Sequence, residues 1–116
     1  MPIGLETVER EGALRLVLSG ELDFSTAAEV EARLLAIEGD DPCPPHVVVD
    51  LRALRFIDST GLSLLVNAYN RARAAGRRLT IVSGRGPARR ILETTGLLDR
   101  LGVVEDEGDE RPQGAG

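Results

Sequence analysis

The chain has 116 residues, 42% of them hydrophobic and 28% charged. That suffices for one globular domain with its own core and is too short for two ordinary ones. The formal net charge is −5, every Lys-or-Arg position is arginine, and the aromatics are Phe24, Phe56 and Tyr69. An acidic chain with so few rings offers neither a phosphate-backbone surface nor a stacking platform, so nucleic acid is excluded as a partner.

No apolar stretch reaches membrane-spanning length, and no membrane insertion is expected. Met1 to Glu6 has neither a basic segment nor an apolar signal core, which points to a cytoplasmic protein. Cys43 is the single cysteine, lies between Pro42 and Pro44, and reads as a loop residue without a disulfide partner.

Ile3 to Glu9 reads as a first strand and Glu11-Gly12 as a hairpin turn. Leu14, Leu16 and Leu18 share one face of a second strand that stops at Ser19-Gly20. After the loop Glu21 to Ser25, Thr26 and Glu29 have capping-box spacing. The helix they open buries Ala27, Val30, Leu34 and Ile37 and ends at Gly39. A proline-rich loop follows, then the apolar run Val47 to Leu51, a strand buried on both faces.

The stretch Phe56-Ile57-Asp58-Ser59-Thr60-Gly61-Leu62 is the centre of the chain. Phe56-Ile57 is expected to anchor it to the core. Asp58, Ser59 and Thr60 all suit a helix N-terminus, because their side-chain oxygens accept backbone N–H bonds. The helix runs from Leu62 to Ala75, with Leu62, Leu65, Val66, Tyr69 and Ala72 as its apolar stripe, and Gly76 stops it. Two readings of the turn are open: a plain cap, or a phosphorylation site whose added anion meets orphan N–H groups and a favourable dipole.

Leu79 to Val82 is a further strand, and Pro87 opens a third helix with Ala88, Ile91, Leu92 and Thr95 inward. Leu97 to Leu101 adds a last turn before the short strand Val103-Val104. From Glu105 to Gly116 an acidic, glycine-rich solvated tail is expected, leaving 1–104 as the domain. Strands alternating with helices after one hairpin imply an α/β fold. The sheet is mixed and mostly parallel, with four to five strands and three to four helices.

Catalytic chemistry is missing. The chain lacks lysine and so lacks a phosphate-binding loop, and Gly84-Arg85-Gly86 before Pro87 is a turn rather than a dinucleotide fingerprint. One histidine and one cysteine three residues apart make no metal site, and no cofactor is implied. The strand–turn–helix around Ser59 is similar to a nucleophile elbow, but Ile57 stands where that motif has glycine. His46 precedes the buried strand, at the opposite end from the turn, so it does not reach Ser59 as a base.

Three motifs then fall into one order. Gly20-Glu21-Leu22-Asp23, Asp58-Ser59-Thr60-Gly61-Leu62 and Leu92-Glu93-Thr94-Thr95-Gly96-Leu97 resemble the STAS family, most closely its bacterial anti-sigma-factor antagonists, over residues 3 to 104. The resemblance implies a partner switch rather than an enzyme. The unmodified antagonist binds an anti-sigma factor that is also a serine kinase, a histidine-kinase-like ATPase, and so frees a sigma factor. Phosphorylation releases the antagonist, and a PP2C-type phosphatase resets it. By motif position the acceptor is Ser59, with Thr60 second. The partner surface would comprise Asp23, Asp58, Ser59, Thr60, Gly61, Leu62, Ser63 and Leu64.

Within that surface, Asp58 and Thr60 would orient the turn. Gly61 would leave room for the kinase, Asp23 would orient the Ser59 hydroxyl or meet a basic group, and Leu62 and Leu64 would supply apolar contact, with the core as the alternative place for Leu62. Asp23 has a plainer reading as a loop aspartate bonded to its own backbone. The family commonly has glycine where this chain has Ser63, a change that would retune partner binding. The alternative is a STAS scaffold subunit of a transport ATPase or stress-signalling complex, with Ser59 only a cap.

Overall fold

In the computed structural model, residues 2–106 are described. Strands β1 (Ile3–Arg10) and β2 (Ala13–Leu22) pair antiparallel. Their two-residue turn puts both Glu11 (φ 52°) and Gly12 (φ 82°) in the left-handed region, as a primed hairpin turn requires. Helix α1 (Ala27–Glu38) leads to β3 (His46–Ile57), and α2 (Ser59–Ala74) leads to β4 (Arg78–Val82). Helices α3 (Pro87–Thr94) and α4 (Leu97–Arg100) follow. The sheet order is β1-β2-β3-β4, with β2, β3 and β4 parallel. Among the described residues no helix is long and apolar enough to cross a membrane.

The core is aliphatic. Leu16, Leu18 and Leu22 of β2, Leu51 and Leu54 of β3, Val30 and Leu34 of α1, Leu65 of α2, Ile81 of β4 and Leu92 of α3 are fully or almost fully buried. Each such side chain contributes about 1.5–3 kcal/mol relative to exposure. The inward face expected for α1 is the one observed: Ala27, Val30, Leu34 and Ile37 are all buried. A charge cluster around one buried carboxylate sits among these strands. Asp50 accepts from Arg15 at 2.9 Å and from Arg52 at 2.7 Å, its own side chain being 4% exposed.

Several expectations change. β2 does not stop at Ser19-Gly20; it reaches Leu22 through two register shifts against β3, with Gly20 at φ 94°. There an added Cβ would lie 2.7 Å from the Pro2 carbonyl oxygen. β3 is twelve residues long, far beyond Val47 to Leu51, and residues 51–57 run past its last β4 pairing, Asp50 with Val82. The capping box is not formed, because the Thr26 hydroxyl donates to the Glu21 carbonyl at 2.8 Å instead of accepting from the helix. α2 begins at Ser59 rather than Leu62 and buries Gly61, Leu64, Leu65, Ala68 and Ala72, so its inward stripe is rotated from the expected one. Val103-Val104 contributes a single parallel bridge, Val82 with Val104. Glu105 is not a free tail residue: its carbonyl accepts from the Gly84 N–H at 2.6 Å and its carboxylate pairs with Arg85. The rest of the expected tail, 107–116, lies outside the described residues.

Candidate functional site

The overhanging end of β3 delivers the chain to Asp58, whose extended backbone (φ −107°, ψ −174°) makes it the N-cap of α2. Its N–H donates to the Leu22 carbonyl at 3.1 Å, which ties the turn to β2. One carboxylate oxygen accepts from the Gly61 N–H at 3.0 Å and the other from the Phe24 N–H at 3.1 Å. A single side chain therefore caps the helix and holds the β2–α1 loop beside it.

Ser59 is the first residue of α2 and is exposed, as are Thr60 and Ser63. Asp58 takes the N–H of Gly61 with its side chain and that of Leu62 with its carbonyl, 2.9 Å away. The N–H groups of Ser59 and Thr60 remain as the orphan donors of the first turn, at the positive end of the helix dipole. Anionic groups are accommodated at such a helix mouth.

Gly61 faces inward, not outward. A Cβ there would lie 2.8 Å from Ile57 Cγ1, 2.8 Å from Leu22 Cγ and 3.0 Å from the Leu22 carbonyl oxygen. The missing side chain makes room for the domain's own strands, which replaces the role expected for it at a partner's surface. Of the two leucines expected to contact a partner, one is inside. Leu64 is 5% exposed and belongs to the core, while Leu62 is half-buried and is the better placed of the two for outside contact.

Asp23 lies in the neighbouring loop but makes no hydrogen bond to Ser59. Its Oδ1 accepts from the Ser25 N–H at 2.9 Å and the Ser25 hydroxyl at 2.7 Å. The Ser25 hydroxyl's bond, with smaller help from the N–H groups of Ser25 and Thr26, holds its carboxyl below the usual aspartate value despite some desolvation. Asp23 is thus a charged loop brace whose carboxylate still borders the site. The Asp23 carbonyl accepts from Thr26 and Ala27 at 3.0 and 2.8 Å, so the whole loop is tied to its own backbone.

Phe56 is 49% exposed and does not anchor the turn in the core; Ile57, 2% exposed, does that alone. Phe24 is 80% exposed. Phe56 lies two residues before Asp58 and the Phe24 N–H is bonded to the Asp58 carboxylate, yet sequence reasoning assigned neither phenylalanine to the site surface.

His46 begins β3 and its Nε2 bonds Thr80 Oγ1 at 2.8 Å. Eleven strand steps of roughly 3.3 Å separate it from the turn, so it cannot be the base for Ser59. Burial, then the charges of Arg78 and Arg15, lower its pKa. Ser59 is thus an exposed residue at the first position of α2, out of reach of His46.

The STAS domain model matches residues 4–110. The chain belongs to the STAS domain family. Among curated relatives, this STAS domain is 28% identical over 107 residues to the anti-sigma F factor antagonist of Paenibacillus polymyxa, covering 92% of this chain and 91% of the relative. Among solved structures, it superposes with TM-score 0.82 on an anti-sigma factor antagonist from Mycobacterium paratuberculosis. That match has 29% identity and covers 93% of this chain and 90% of the other. The anti-sigma factor antagonist SpoIIAA, solved in its unphosphorylated form, gives TM-score 0.65 at 25% identity, covering 83% and 82%.

Proposed function

We propose that this STAS domain is an anti-sigma-factor antagonist that works in the cytoplasm as a binding protein, not an enzyme. Unmodified, it binds an anti-sigma factor that is also a serine kinase of the histidine-kinase-like ATPase type, and thereby frees a sigma factor. Phosphorylation of Ser59 ends the complex, and a PP2C-type phosphatase restores it. The observation that carries this reading is the exposed Ser59 hydroxyl at the first position of α2, beside the two orphan N–H groups. The names of the relatives support it.

Magnitudes favour a switch of binding over a switch of fold. An anion at a helix N-terminus stabilises by about 0.3–1 kcal/mol, and the nearby carboxylates of Asp58 and Asp23 oppose it. The domain therefore stays folded when modified. In a desolvated interface the same charge of about −1.5 to −2 costs several kcal/mol unless donors meet it. About 4 kcal/mol is nearly a thousandfold in Kd.

The test is to incubate the chain with ATP and each serine kinase of this type from the source organism, then map the phosphate by mass spectrometry. Phosphate on Ser59 is expected. Labelling of neither Ser59 nor Thr60 by any of them overturns the switch and leaves a STAS scaffold.

A further inference from the structure

Both phenylalanines of the chain are exposed, although the buried apolar positions among the described residues are filled by Leu, Val, Ile and Ala alone. They are not scattered. Phe56 stands two residues before Asp58 and pairs in register with Glu21, while the Phe24 N–H is held by the Asp58 carboxylate. Both residues thus adjoin the turn that carries Ser59, Phe56 through the strand that leads into it and Phe24 through its backbone bond to Asp58.

The Phe24 loop is braced on both sides of the ring, by the Ser25–Asp23 bonds and by the Thr26 hydroxyl on the Glu21 carbonyl. A ring presented by an ordered loop loses little entropy on docking, and desolvated aromatic anchors are what dominate protein interfaces. The charged residues next to the two rings in the chain and across the strand pair are the carboxylates Glu21, Asp23 and Asp58 and one exposed cation, Arg55, a net negative set.

We propose that Phe24 and Phe56 are the apolar anchor by which the serine kinase acting on Ser59 grips this chain, the rings entering an apolar recess on the kinase that is edged by basic side chains. This rests on the phosphorylation reading above, and it separates two tasks on one surface. Ser59 accepts the phosphate; the rings set affinity and choice of kinase. A phosphate placed beside the rings brings charge into the zone they desolvate, which is how modification would eject them.

The experiment measures steady-state phosphorylation of the chain and its Phe24→Ser, Phe24→Leu and Phe56→Ser variants by the kinase that labels Ser59. Phe24→Ser should raise KM for the protein substrate about tenfold or more with kcat within about twofold, the mark of lost docking energy. Phe56→Ser should act in the same direction but less, and Phe24→Leu should recover most of the loss. The thermal midpoint of Phe24→Ser should match the unmodified chain, since that ring is 80% exposed. Unchanged KM in both serine variants overturns the anchor while Ser59 phosphorylation stands. Failure of the unmodified chain to accept phosphate from any such kinase overturns both.

Discussion

Gly61→Ala separates a glycine that serves the fold from one that serves a partner. The added methyl would sit 2.8 Å from side-chain carbons of Leu22 and Ile57, which are 0% and 2% exposed, and 3.0 Å from a backbone oxygen. Neither leucine nor isoleucine has open space to retreat into, so the helix start must move outward. Overpacking of this kind costs about 1–3 kcal/mol. Alanine returns up to about 1 kcal/mol over glycine inside a helix, and less in the first turn. The net loss is about 1–2 kcal/mol, or a fall of roughly 5–15 °C in Tm for a domain of this size. Thermal unfolding followed by circular dichroism reads it directly, with Ser63→Ala, exposed on the same turn, as the unchanged control. A Gly61→Ala variant as stable as the original but refused by the kinase would refute the packing account and return Gly61 to the partner surface.

Three further outcomes are expected. Asp58→Ala loses the cap and the tether to Phe24 together and should cost about 1–2 kcal/mol in urea unfolding, with faster amide exchange in residues 23–27. Burial alone would raise the pKa of Asp50, but the Arg52 hydrogen bonds and the charges of Arg52 and Arg15 outweigh it and hold it below the usual value. A depressed carboxylate contributes stability above its unfolded pKa and loses it as pH falls through the folded one. Asp50→Asn should cost about 1–2 kcal/mol near neutral pH, less than for a fully buried pair because the Arg52 side chain is 43% exposed. Urea midpoints of variant and original should converge as pH drops below about 4. Ser59→Ala and Ser59→Asp should both keep the original Tm within a few degrees, while only the acidic variant loses kinase affinity, by about a hundredfold in calorimetric titration. Equal affinities would count against a charge switch.

The fold class was legible because its signals were periodic: alternating leucines in β2, the four inward positions of α1, and Pro87 opening α3. The phase of α2 was not. Hydropathy points to Leu62, Val66 and Tyr69 as the centre of the inward face; they pack half-buried against the core, while close contact with the strands puts the small residues Gly61 and Ala68 fully inside. Size complementarity is a property of the packed pair and leaves no trace in one segment's hydropathy. The length of β3 was hidden likewise, since Arg52 and Arg55 interrupt an apolar run that the backbone continues through. At the site, the Asp58 cap and the display of Ser59 followed from local residue chemistry. The second acceptance by Asp58, from the N–H of Phe24, joins residues far apart in the chain and emerges only from the fold.

The overhang of β3 shapes the surface that Ser59 offers to another protein. Residues 51–57 project past the end of β4 before the chain turns into α2. Those residues keep their pairing with β2, so Ser59 stands at the end of a two-stranded extension, beside the β2–α1 loop that Asp58 holds. A catalytic cleft recessed well inside another protein can receive such a prominence without either partner unfolding. An enzyme that needs a floppy peptide threaded through its cleft would find nothing here to thread.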